Sequence, residues 1–489
     1  MQFLLRAQTH TRAILVAAII TALGSGAALA QTDEDVQRVE DNKGGVYEGT
    51  FQDGLQHGRG TYRLPSGYEY SGEWFEGEIL GQGIARFTNG SVYEGGFVAG
   101  KPDGFGKIIF ADGGTYEGDW VAGEINGNGI AIYVNGVQYE GGFRNAMHHG
   151  VGTMRSPNGY VYQGEWINGV KEGVGTITYP DGSVYTGTLV RGVSEGTGTL
   201  TSPDGLKYEG TWREGQMNGE GKLIQPNGDV YVGDLTNGAR DGKGVMTYAN
   251  RDIYEGSFQN DQRHGQGRLT STDGYSYVGS WVEGRIEGEG EVTYPDGSVY
   301  AGTFMDDLVD GTGSITYPDG STYEGEWRAG IIEGRGVARY ANGLVYDGEF
   351  HDARNHGQGT MTYPDGFTYT GEWVEGQRSG MGTTTYADGT VYTGNHLNGK
   401  PNGQGEIAMP DGFLYVGNWV NGEIDGQGRV TYSNGDIYEG SFRTGKRQGV
   451  GTMSYASGEV REGNWENGAL VSDVESDATN DGTSTETND

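Results

Sequence analysis

A 23-residue repeat is the feature that most limits what this chain can fold into. The stretch at 323–345, YEGEWRAGIIEGRGVARYANGLV, opens with a tyrosine, and a tyrosine returns at every 23-residue step from Tyr47 to Tyr438, with Arg461 at the next step. No step contains an insertion or a deletion. Repeats of about 20–50 residues are typical of arrays in which each unit packs on its neighbours. The sequence therefore predicts a repeat array instead of a single globular core.

Large and charged residues alternate along one copy. Tyr323 and Trp327 fall on one side of the first run, and Glu324 and Glu326 fall on the other. A period of two predicts a β-strand, and the run at 334–340 repeats it after a glycine-bearing turn. A short Asn-Gly or Pro-Asp-Gly turn leads to the next copy. We expect an all-β fold, an elongated single-layer antiparallel β-meander of about 18–19 stacked β-hairpins that is twisted and curved.

Glycine follows the same period. Most of the 95 glycines occupy five slots, three residues before the tyrosine and two, seven, eleven and thirteen after it. A glycine inside a strand normally weakens it, but here it leaves room for an aromatic ring to lie across the backbone. We therefore expect an aromatic–glycine face that forms the packing core and a solvated face that bears Thr, Glu and Arg. At two strands per copy, the array would extend roughly 180 Å.

The aromatic residues four positions after each tyrosine form a second pattern. Tryptophan alternates with Phe, Leu or His at a spacing of 46 residues, except for a 69-residue gap between Trp212 and Trp281. Rings that pack on each other are core, whereas exposed rings on a curved sheet can stack on sugar rings or grip an apolar strip of a partner. The candidate binding residues are Trp74, Trp120, Trp166, Trp212, Trp281, Trp327, Trp373, Trp419 and Trp465.

The gap between Trp212 and Trp281 coincides with other irregularities. Arg251 and Asp261 replace turn glycines there. Similar phrases at 51–58, 143–150, 258–265 and 350–357 lie 92, 115 and 92 residues apart, so the middle interval contains one extra copy. We hypothesise that a four-copy block was duplicated with one spliced repeat near 213–258, which leaves a locally softer joint.

The motifs Tyr-Glu-Gly-x-Trp, Gly-x-Gly and Asp-Gly at this 23-residue step resemble the MORN-repeat family (membrane occupation and recognition nexus). The resemblance covers residues 44 to about 468. It implies a hairpin array that commonly acts as a scaffold and is often oligomeric. Some relatives join the repeats to a lipid-kinase or methyltransferase domain, but no segment outside the repeats exceeds ~30 residues, so we do not expect those activities.

The two ends of the chain differ from the repeats. Arg6 and Arg12 precede an apolar run at 13–20, and small residues at 28–30 offer a cleavage site, so residues 1–30 are predicted as a signal peptide. We predict an acidic lead-in at 31–43, the repeat array at 44–468 and an acidic disordered tail at 469–489. The protein is therefore expected to be exported and to be periplasmic or secreted in a bacterial cell envelope.

Composition limits the partners. The formal net charge is −34, so we expect no binding to nucleic acid and no direct binding to anionic membranes. The chain has no cysteine, so strand pairing and ring packing must hold the array. Protein partners are expected, and a homo-oligomer through the array ends is a further expectation. Charged residues disfavour strand pairing at the Arg461 end of the array, so we expect self-association to use the strand edge at Tyr47.

Two groups of residues suggest chemistry that the repeat explains otherwise. Gly-x-Gly pairs open no helix and lack the Gly-Lys-Ser/Thr ending of a phosphate loop. Carboxylates two apart on a strand, such as Glu324 and Glu326, are ~7 Å apart, near the spacing of an inverting glycosidase, but they recur on a solvated face without a pocket. We therefore expect no catalytic residues.

Two further groups suggest metal binding. Histidines in one shared slot would be ~38 Å apart along the sheet, too far to converge on one ion, so we expect them to be solvated in turns. Turn aspartates could hold calcium, which needs about six to eight converging oxygens, but the ordinary role of Asp in a turn is favoured. We expect no metal site and no cofactor. The residues concerned are His57, His149, His264 and His356, and Asp181, Asp296 and Asp319.

These features together favour a non-catalytic, exported scaffold or spacer that offers a long repeat surface for protein–protein interaction in the cell envelope. The alternative is an envelope glycan- or lipid-binding module that uses the aromatic row. Pull-down with isolated cell wall and with liposomes would separate the two hypotheses.

Overall fold

The protein folds into β-hairpins. The computed structural model describes residues 36–473, and within this range every regular element is a β-strand. The described residues divide into two units, one that ends at Val170 and one that begins at Lys171. The prediction of an all-β fold of antiparallel hairpins is confirmed for the described residues. No helix in this range is long and apolar enough to cross a membrane, and the predicted signal peptide lies outside the described residues.

The first unit contains a sheet in which each strand pairs antiparallel with its neighbour in sequence. Its strands are β1 (Gln37–Glu40), β2 (Val46–Gln52), β3 (Leu55–Arg63), β4 (Glu69–Phe75), β5 (Glu78–Arg86), β6 (Val92–Val98), β7 (Lys101–Ile109), β8 (Thr115–Val121), β9 (Glu124–Ile132), β10 (Gln138–Arg144), β11 (Met147–Arg155) and β12 (Val161–Ile167).

The second unit begins one residue into β13 and follows the same order of neighbouring antiparallel pairs. Its strands are β13 (Val170–Thr178), β14 (Val184–Val190), β15 (Val193–Thr201), β16 (Lys207–Arg213), β17 (Gln216–Ile224), β18 (Val230–Thr236), β19 (Ala239–Thr247), β20 (Ile253–Gln259), β21 (Gln262–Thr270), β22 (Ser276–Val282), β23 (Arg285–Thr293), β24 (Val299–Met305), β25 (Leu308–Thr316), β26 (Thr322–Arg328), β27 (Ile331–Arg339), β28 (Val345–His351), β29 (Arg354–Thr362), β30 (Thr368–Val374), β31 (Gln377–Thr385), β32 (Val391–Leu397), β33 (Lys400–Ala408), β34 (Leu414–Val420), β35 (Glu423–Thr431), β36 (Ile437–Arg443), β37 (Lys446–Ser454), β38 (Val460–Glu466) and β39 (Ala469–Asp473).

In the hairpins from β2–β3 to β36–β37 the second strand is longer than the first because it carries a bulge. In β2–β3, Gly49 faces Gly60 and Phe51 faces Gln56, so one residue of β2 lies opposite three residues of β3. The glycine eleven positions after the tyrosine lies in this bulge, and Gly334 has a φ of 70° there. We expected this glycine to make room for a ring. That expectation was wrong, because the bulge needs a left-handed backbone conformation at this slot.

The ring of each repeat tyrosine lies over two facing glycines. A Cβ atom added at Gly325 would lie 2.4 Å from the Tyr323 hydroxyl oxygen, and one added at Gly336 would lie 2.5 Å from it. Neither glycine has a positive φ, so the ring requires their missing side chains and not their flexibility. Burial raises the pKa of Tyr323 to about 12, which keeps the phenol protonated. The expected aromatic–glycine core is confirmed.

Each of these tyrosines closes a local hydrogen bond that holds its ring in place. The Tyr323 hydroxyl donates to the backbone carbonyl of Glu326, three residues on, at 2.9 Å. The same bond forms in all 18 copies that open with tyrosine, at 2.7–3.1 Å. Burying a hydroxyl without a hydrogen-bond partner costs free energy, and this bond removes that cost for the tyrosine hydroxyl in the core.

The tryptophans connect neighbouring copies. Trp327 Nε1 donates to the Gly313 carbonyl of the preceding copy at 3.3 Å. The Trp327 ring also meets Tyr300 and Tyr323 edge to face, with centroids 5.4 and 5.3 Å apart. All nine tryptophans make the equivalent bond to a glycine carbonyl, at 2.9–3.3 Å. Edge-to-face pairs add stability beyond buried area, so the rings hold each unit together from copy to copy.

The region of the hypothesised joint keeps its strand pairing but loses ring contacts. Antiparallel pairing runs without interruption from β16 to β20. Leu235 occupies a slot that holds a ring in most copies, and its buried side chain cannot form the edge-to-face contacts. Arg251 and Asp261 stand in for turn glycines with φ values of 73° and 67°. The Arg240 guanidinium Nε bonds the Asp261 carboxylate at 3.0 Å, which supports that strained turn.

Both ends of the described chain add a strand beyond the predicted array. Val39 of β1 pairs opposite Tyr47, so part of the predicted acidic lead-in at 31–43 forms a strand. Trp465 of β38 pairs opposite Leu470 of β39, inside the predicted tail. The expectation of a free strand edge at Tyr47 was therefore wrong, because the lead-in supplies the missing neighbour. The outermost described strand at this end is β1, whose four residues are all exposed.

Gly336→Ala should destabilise the protein more than Gly330→Ala. A methyl group at Gly336 collides with the Tyr323 ring, which predicts a loss of roughly 2–3 kcal/mol in the free energy of unfolding. Gly330 has a φ of 85° and no other atom within 4 Å of an added Cβ, so its substitution should cost about 1 kcal/mol through backbone strain alone. Urea unfolding with amide exchange in β26–β28 measures both, since long arrays can open in parts. Equal losses would contradict the ring–glycine constraint.

Amide hydrogen exchange should be faster in β16–β19 than in the copies from β20 onward, where Phe, Trp or His occupies the slot of Leu235; β14–β15 carries Leu189 at this slot and should resemble β16–β19. The physical reason is the missing ring at Leu235, which removes edge-to-face contacts while it leaves the backbone pairing intact. Mass-spectrometric exchange on peptides from each copy provides the comparison. Uniform protection through this region would reject the softer joint.

Acid should destabilise the protein partly through His148. Its ring stacks on Tyr139 with centroids 3.6 Å apart, and burial lowers its pKa to about 4. Between pH about 6.5 and 4 the unfolded chain binds a proton at this residue and the folded chain does not, so stability rises with pH across this window. His148→Phe should reduce the loss in melting temperature between pH 7 and pH 4.5. If the variant and the original protein lose the same amount, His148 does not contribute.

Candidate interaction surfaces

The nine tryptophans that we predicted as binding residues are buried. Their exposed fractions range from 1% for Trp281 to 8% for Trp74, Trp212 and Trp327. Neighbouring tyrosine rings cover their faces, and their ring N–H groups are bonded to glycine carbonyls. A sugar or a lipid could reach these faces only if the neighbouring rings moved. In the structure the tryptophans pack between neighbouring copies. Their predicted role in binding stays a prediction.

The opposite face of each unit, here called the open face, carries the residues one, twelve, fourteen and sixteen positions after each tyrosine. We expected Thr, Glu and Arg on this face, and the second unit shows such a row, for example Thr360 bonded to Thr370 at 2.9 Å. In the first unit large apolar side chains interrupt the polar ones. Phe105 is 64% exposed and Val151 is 69% exposed, and Ile109, Ile130 and Ile132 are also exposed. The second unit also exposes apolar side chains at these slots, for example Val174 (60%), Met381 (51%) and Val450 (61%), so the expectation of a uniformly polar face was wrong for both units.

A shallow groove of about 690 Å³ lies on the open face of the first unit. Repeat glycines such as Gly60 and Gly72 form part of its lining, and Glu48, Arg59 and Arg63 also line it. Arg63 lies 3.7 Å from the Glu48 carboxylate. The charged groups are exposed, and exposed pairs of this kind contribute little to stability. The groove is an open trough and not an enclosed pocket.

The carboxylates two apart on one strand have separate structural environments. A Cβ atom added at Gly334 would lie 2.3 Å from Glu326 Oε2, so this side chain fills the bulge of its own hairpin. The equivalent Glu73 accepts the backbone N–H of Gln82 at 2.9 Å. Glu324 and Glu326 are both exposed, and Glu324 occupies the open-face slot one position after the tyrosine. The acidic residue three positions after the tyrosine therefore stabilises the bulge.

The four histidines of the shared slot lie in strands and not in turns. His57, His149, His264 and His356 are half-buried residues of β3, β11, β21 and β29. The expectation of turn-solvated histidines was wrong, because the bulge extends the second strand over this slot. Backbone carbonyls at this slot accept hydrogen bonds, as when Thr50 donates to the His57 carbonyl. The slot is thus part of the bulge geometry.

One cluster brings two carboxylates and an imidazole together. Potential ligand atoms of Glu333, His351 and Asp352 lie within 4.8 Å of one another. His351 Nδ1 lies 2.9 Å from Glu333 Oε1, and the Asp352 backbone N–H donates to Glu333 at 3.1 Å. The contact with Glu333 raises the pKa of His351, and the same hydrogen bond lowers the pKa of Glu333. These groups satisfy one another and brace a turn.

The turn aspartates play the expected turn role. Asp181, Asp296 and Asp319 each accept, through Oδ1, the backbone N–H two residues further on, at 2.8–2.9 Å. This is the geometry of an Asx-turn. The prediction that these residues stabilise turns is confirmed.

A second aromatic row, which the sequence reasoning missed, lies at the turn edge of the second unit. The residue seventeen positions after each opening tyrosine precedes the inter-copy turn, and it is tyrosine in five consecutive copies, from Tyr294 to Tyr386, of which the last four are the more exposed. The exposed fractions are 37% for Tyr317, 41% for Tyr340 and 38% for both Tyr363 and Tyr386. We call these four residues the tyrosine ladder. The recurrent Tyr-Pro-Asp-Gly or Tyr-Ala-Asn/Asp-Gly turn was the available signal, because a ring just past the last paired residue is only half covered.

Phe367 links two steps of the tyrosine ladder. Its ring centroid lies 5.0 Å from that of Tyr363 and 5.4 Å from that of Tyr386. The Arg378 guanidinium lies 5.7 Å from the Phe367 centroid. The ladder is therefore a continuous row of half-exposed rings over this stretch, and not a set of isolated tyrosines.

Comparison with solved structures gives weak similarity only. The SAS-4 (dCPAP) TCP domain in complex with a proline rich motif of Ana2 (dSTIL) of Drosophila melanogaster is 18% identical, covers 36% of this chain and 90% of its own, and has a TM-score of 0.21. The TCP10 domain of Danio rerio CPAP in complex with a peptide of Danio rerio STIL is 15% identical, covers 55% of this chain and 97% of its own, and has a TM-score of 0.14. Similarities at this level carry no conclusion about fold or function.

Comparison of the sequence with family models gives a firm result. The search of curated proteins found no match. The model of the MORN repeat matches residues 47–67, 70–92, 93–115, 116–138, 139–159, 162–184, 185–207, 208–230, 231–253, 254–274, 277–299, 300–322, 323–345, 346–368, 369–391, 392–412, 415–437 and 438–460. These matches begin at the repeat tyrosines that lie over the glycine pairs. The chain therefore belongs to the MORN-repeat family.

Proposed function

We propose that this protein is a non-catalytic, exported scaffold that holds protein partners in the cell envelope. The observation that carries the proposal is the set of large apolar side chains on the open face of the first unit. Phe105 and Val151 are 64% and 69% exposed, although the ring face already supplies the core. Exposed apolar patches that are bordered by polar residues mark protein interaction sites, whereas a single exposed apolar residue does not.

The neighbours of these side chains support a protein partner. Lys107 pairs with Glu117 at 3.2 Å between Phe105 and Ile130, so charged residues border the apolar ones. Interfaces typically combine apolar contacts with a polar rim. The net charge of −34 gives a binding surface that disfavours nucleic acid and anionic headgroups and favours a basic or neutral protein.

The non-catalytic character rests on what the acidic side chains do. Glu73 and Asp119 accept backbone N–H groups in bulges at 2.9 and 2.8 Å, and Asp181 accepts one in a turn. These carboxylates act as hydrogen-bond acceptors for backbone N–H groups in bulges and turns. Export rests on the arginines and apolar run of residues 1–30, which have the composition of a signal peptide.

Affinity purification from the envelope fraction of native cells tests the proposed function. We expect the tagged protein in that fraction with a defined protein partner. Phe105→Glu combined with Val151→Glu should remove the partner, because two charges would be placed at apolar contacts. Thr197→Glu combined with Gln358→Glu is the matched control, since it adds the same charge at the same repeat slot of the second unit. Both variants should unfold at the temperature of the original protein.

Three results would contradict the proposal. The first is a partner that the Phe105 and Val151 variant retains. The second is binding of the purified protein to cell-wall glycan or to liposomes with no protein partner. The third is turnover of an envelope component by the purified protein.

A further inference from the structure

The tyrosine ladder has a repeat distance that a partner can match. Successive ladder residues are one copy apart, and one copy contributes two strands, so the steps are about 9.6 Å. The ring geometry is consistent with this step, because Tyr363 reaches Tyr386 through Phe367 in two ring contacts with centroid distances of 5.0 and 5.4 Å. A ligand that lies along the ladder must therefore present a flat or ring-shaped group about every 9.6 Å.

An acidic row accompanies the ladder. Asp319, Asp365 and Asp388 are exposed in the turns that follow Tyr317, Tyr363 and Tyr386. Each accepts the backbone N–H two residues on through Oδ1, at 2.8–3.0 Å, so its carboxylate is held beside the ladder.

A further carboxylate lies near the first ladder residue, since burial and then the Asp296 carboxylate raise the pKa of Tyr317. Asn342 occupies the corresponding turn position after Tyr340. On the ring side, the facing basic group is Arg378, which lies over Phe367 and Tyr369 at 5.7 and 5.5 Å. The charge beside the ladder is thus mainly negative, which favours a basic ligand.

We propose that the tyrosine ladder, Tyr317, Tyr340, Tyr363 and Tyr386 with Phe367, binds a basic, proline-rich segment of a partner protein in the polyproline II conformation. A polyproline II helix has three residues per turn and advances about 9.3 Å in that turn. A proline at every third residue therefore meets one ladder step after another. The basic residues between the prolines meet the turn carboxylates. The proposal rests on the proposed protein-binding function and adds the class of partner.

The pairing of ring and proline has a physical basis. Proline-rich segments dock on aromatic-lined surfaces because their conformation is set before binding and little entropy is lost. The half-exposed tyrosines present apolar ring area next to a hydroxyl that can donate to the free backbone carbonyls of a polyproline II chain. A polyanion would be repelled by the three carboxylates, and an apolar membrane surface would leave them unpaired.

Fluorescence anisotropy with labelled synthetic peptides tests the proposal on the purified mature protein. The probe is a peptide of about 12 residues, which spans about three ladder steps, with proline at every third position and lysine or arginine between. The control peptide has the same charge but alanine at the proline positions. We expect binding of the proline peptide that weakens with added salt, and binding of the alanine peptide that is at least about tenfold weaker.

A set of variants assigns the binding to the ladder. The combined change Tyr317→Ala, Tyr340→Ala, Tyr363→Ala and Tyr386→Ala should weaken the proline peptide at least about tenfold. The same four changes to Phe keep the rings and should retain most of the binding. A matched control with four exposed apolar residues at strand ends changed to Ala should bind as the original protein does. The control residues are Met305, Val374, Leu397 and Val420, which are 49–52% exposed.

The outcomes separate this proposal from the proposed function. Equal binding of the proline and alanine peptides, or unchanged binding by the Ala ladder variant, overturns the ladder proposal. Binding of a soluble neutral polysaccharide that the Ala ladder variant loses, without peptide binding, also overturns it. If the envelope partner is retained by the Ala ladder variant and lost by the Phe105 and Val151 variant, the scaffold function stands and the ladder proposal fails.

Discussion

The structure depends on one contact, a tyrosine ring that lies across two facing glycines. In the copy at 323–345, the Tyr323 ring occupies the space that side chains at Gly325 and Gly336 would fill. This contact buries a large ring against backbone, where an ordinary sheet would need a second layer to cover it. The hydroxyl then bonds to the carbonyl three residues on, so the ring cannot turn away. Tryptophan and phenylalanine rings on both sides complete the cover.

This contact also determines where a partner can bind. The ring face is occupied by its own packing, so Trp281 and its equivalents are nearly inaccessible. The remaining surfaces are the open face and the turn edge. The open face of the first unit carries Phe105 and Val151, and the turn edge of the second unit carries the tyrosine ladder. The repeat therefore forms the scaffold, and the residues that differ between copies provide two chemically different surfaces.

Much of the fold follows from the sequence because the repeat averages out local ambiguity. The period of two around Tyr323 predicted the strands, and the coincidence of glycine with aromatic slots predicted the ring face. The bulge was not predicted, because alternation alone does not show that Gly334 needs a positive φ. That omission also misplaced the four histidines. The tryptophan row was a reasonable candidate site, but the sequence does not show that Tyr300 and Tyr323 cover Trp327. The half-exposed Tyr340 was visible in the sequence only as one more aromatic residue.

The bond from tryptophan to a glycine carbonyl of the preceding copy has a consequence for how such a protein can change in evolution. Trp327 reaches back to Gly313, whereas Tyr323 completes its hydrogen bond inside its own copy. A whole copy can therefore be gained or lost by recombination, since every junction between copies still offers a glycine carbonyl that a tryptophan N–H of the following copy can reach. Loss of a single residue would place the tyrosine on the side away from its glycines. Selection on such a gene should accept changes of length in steps of one complete copy and remove the smaller ones.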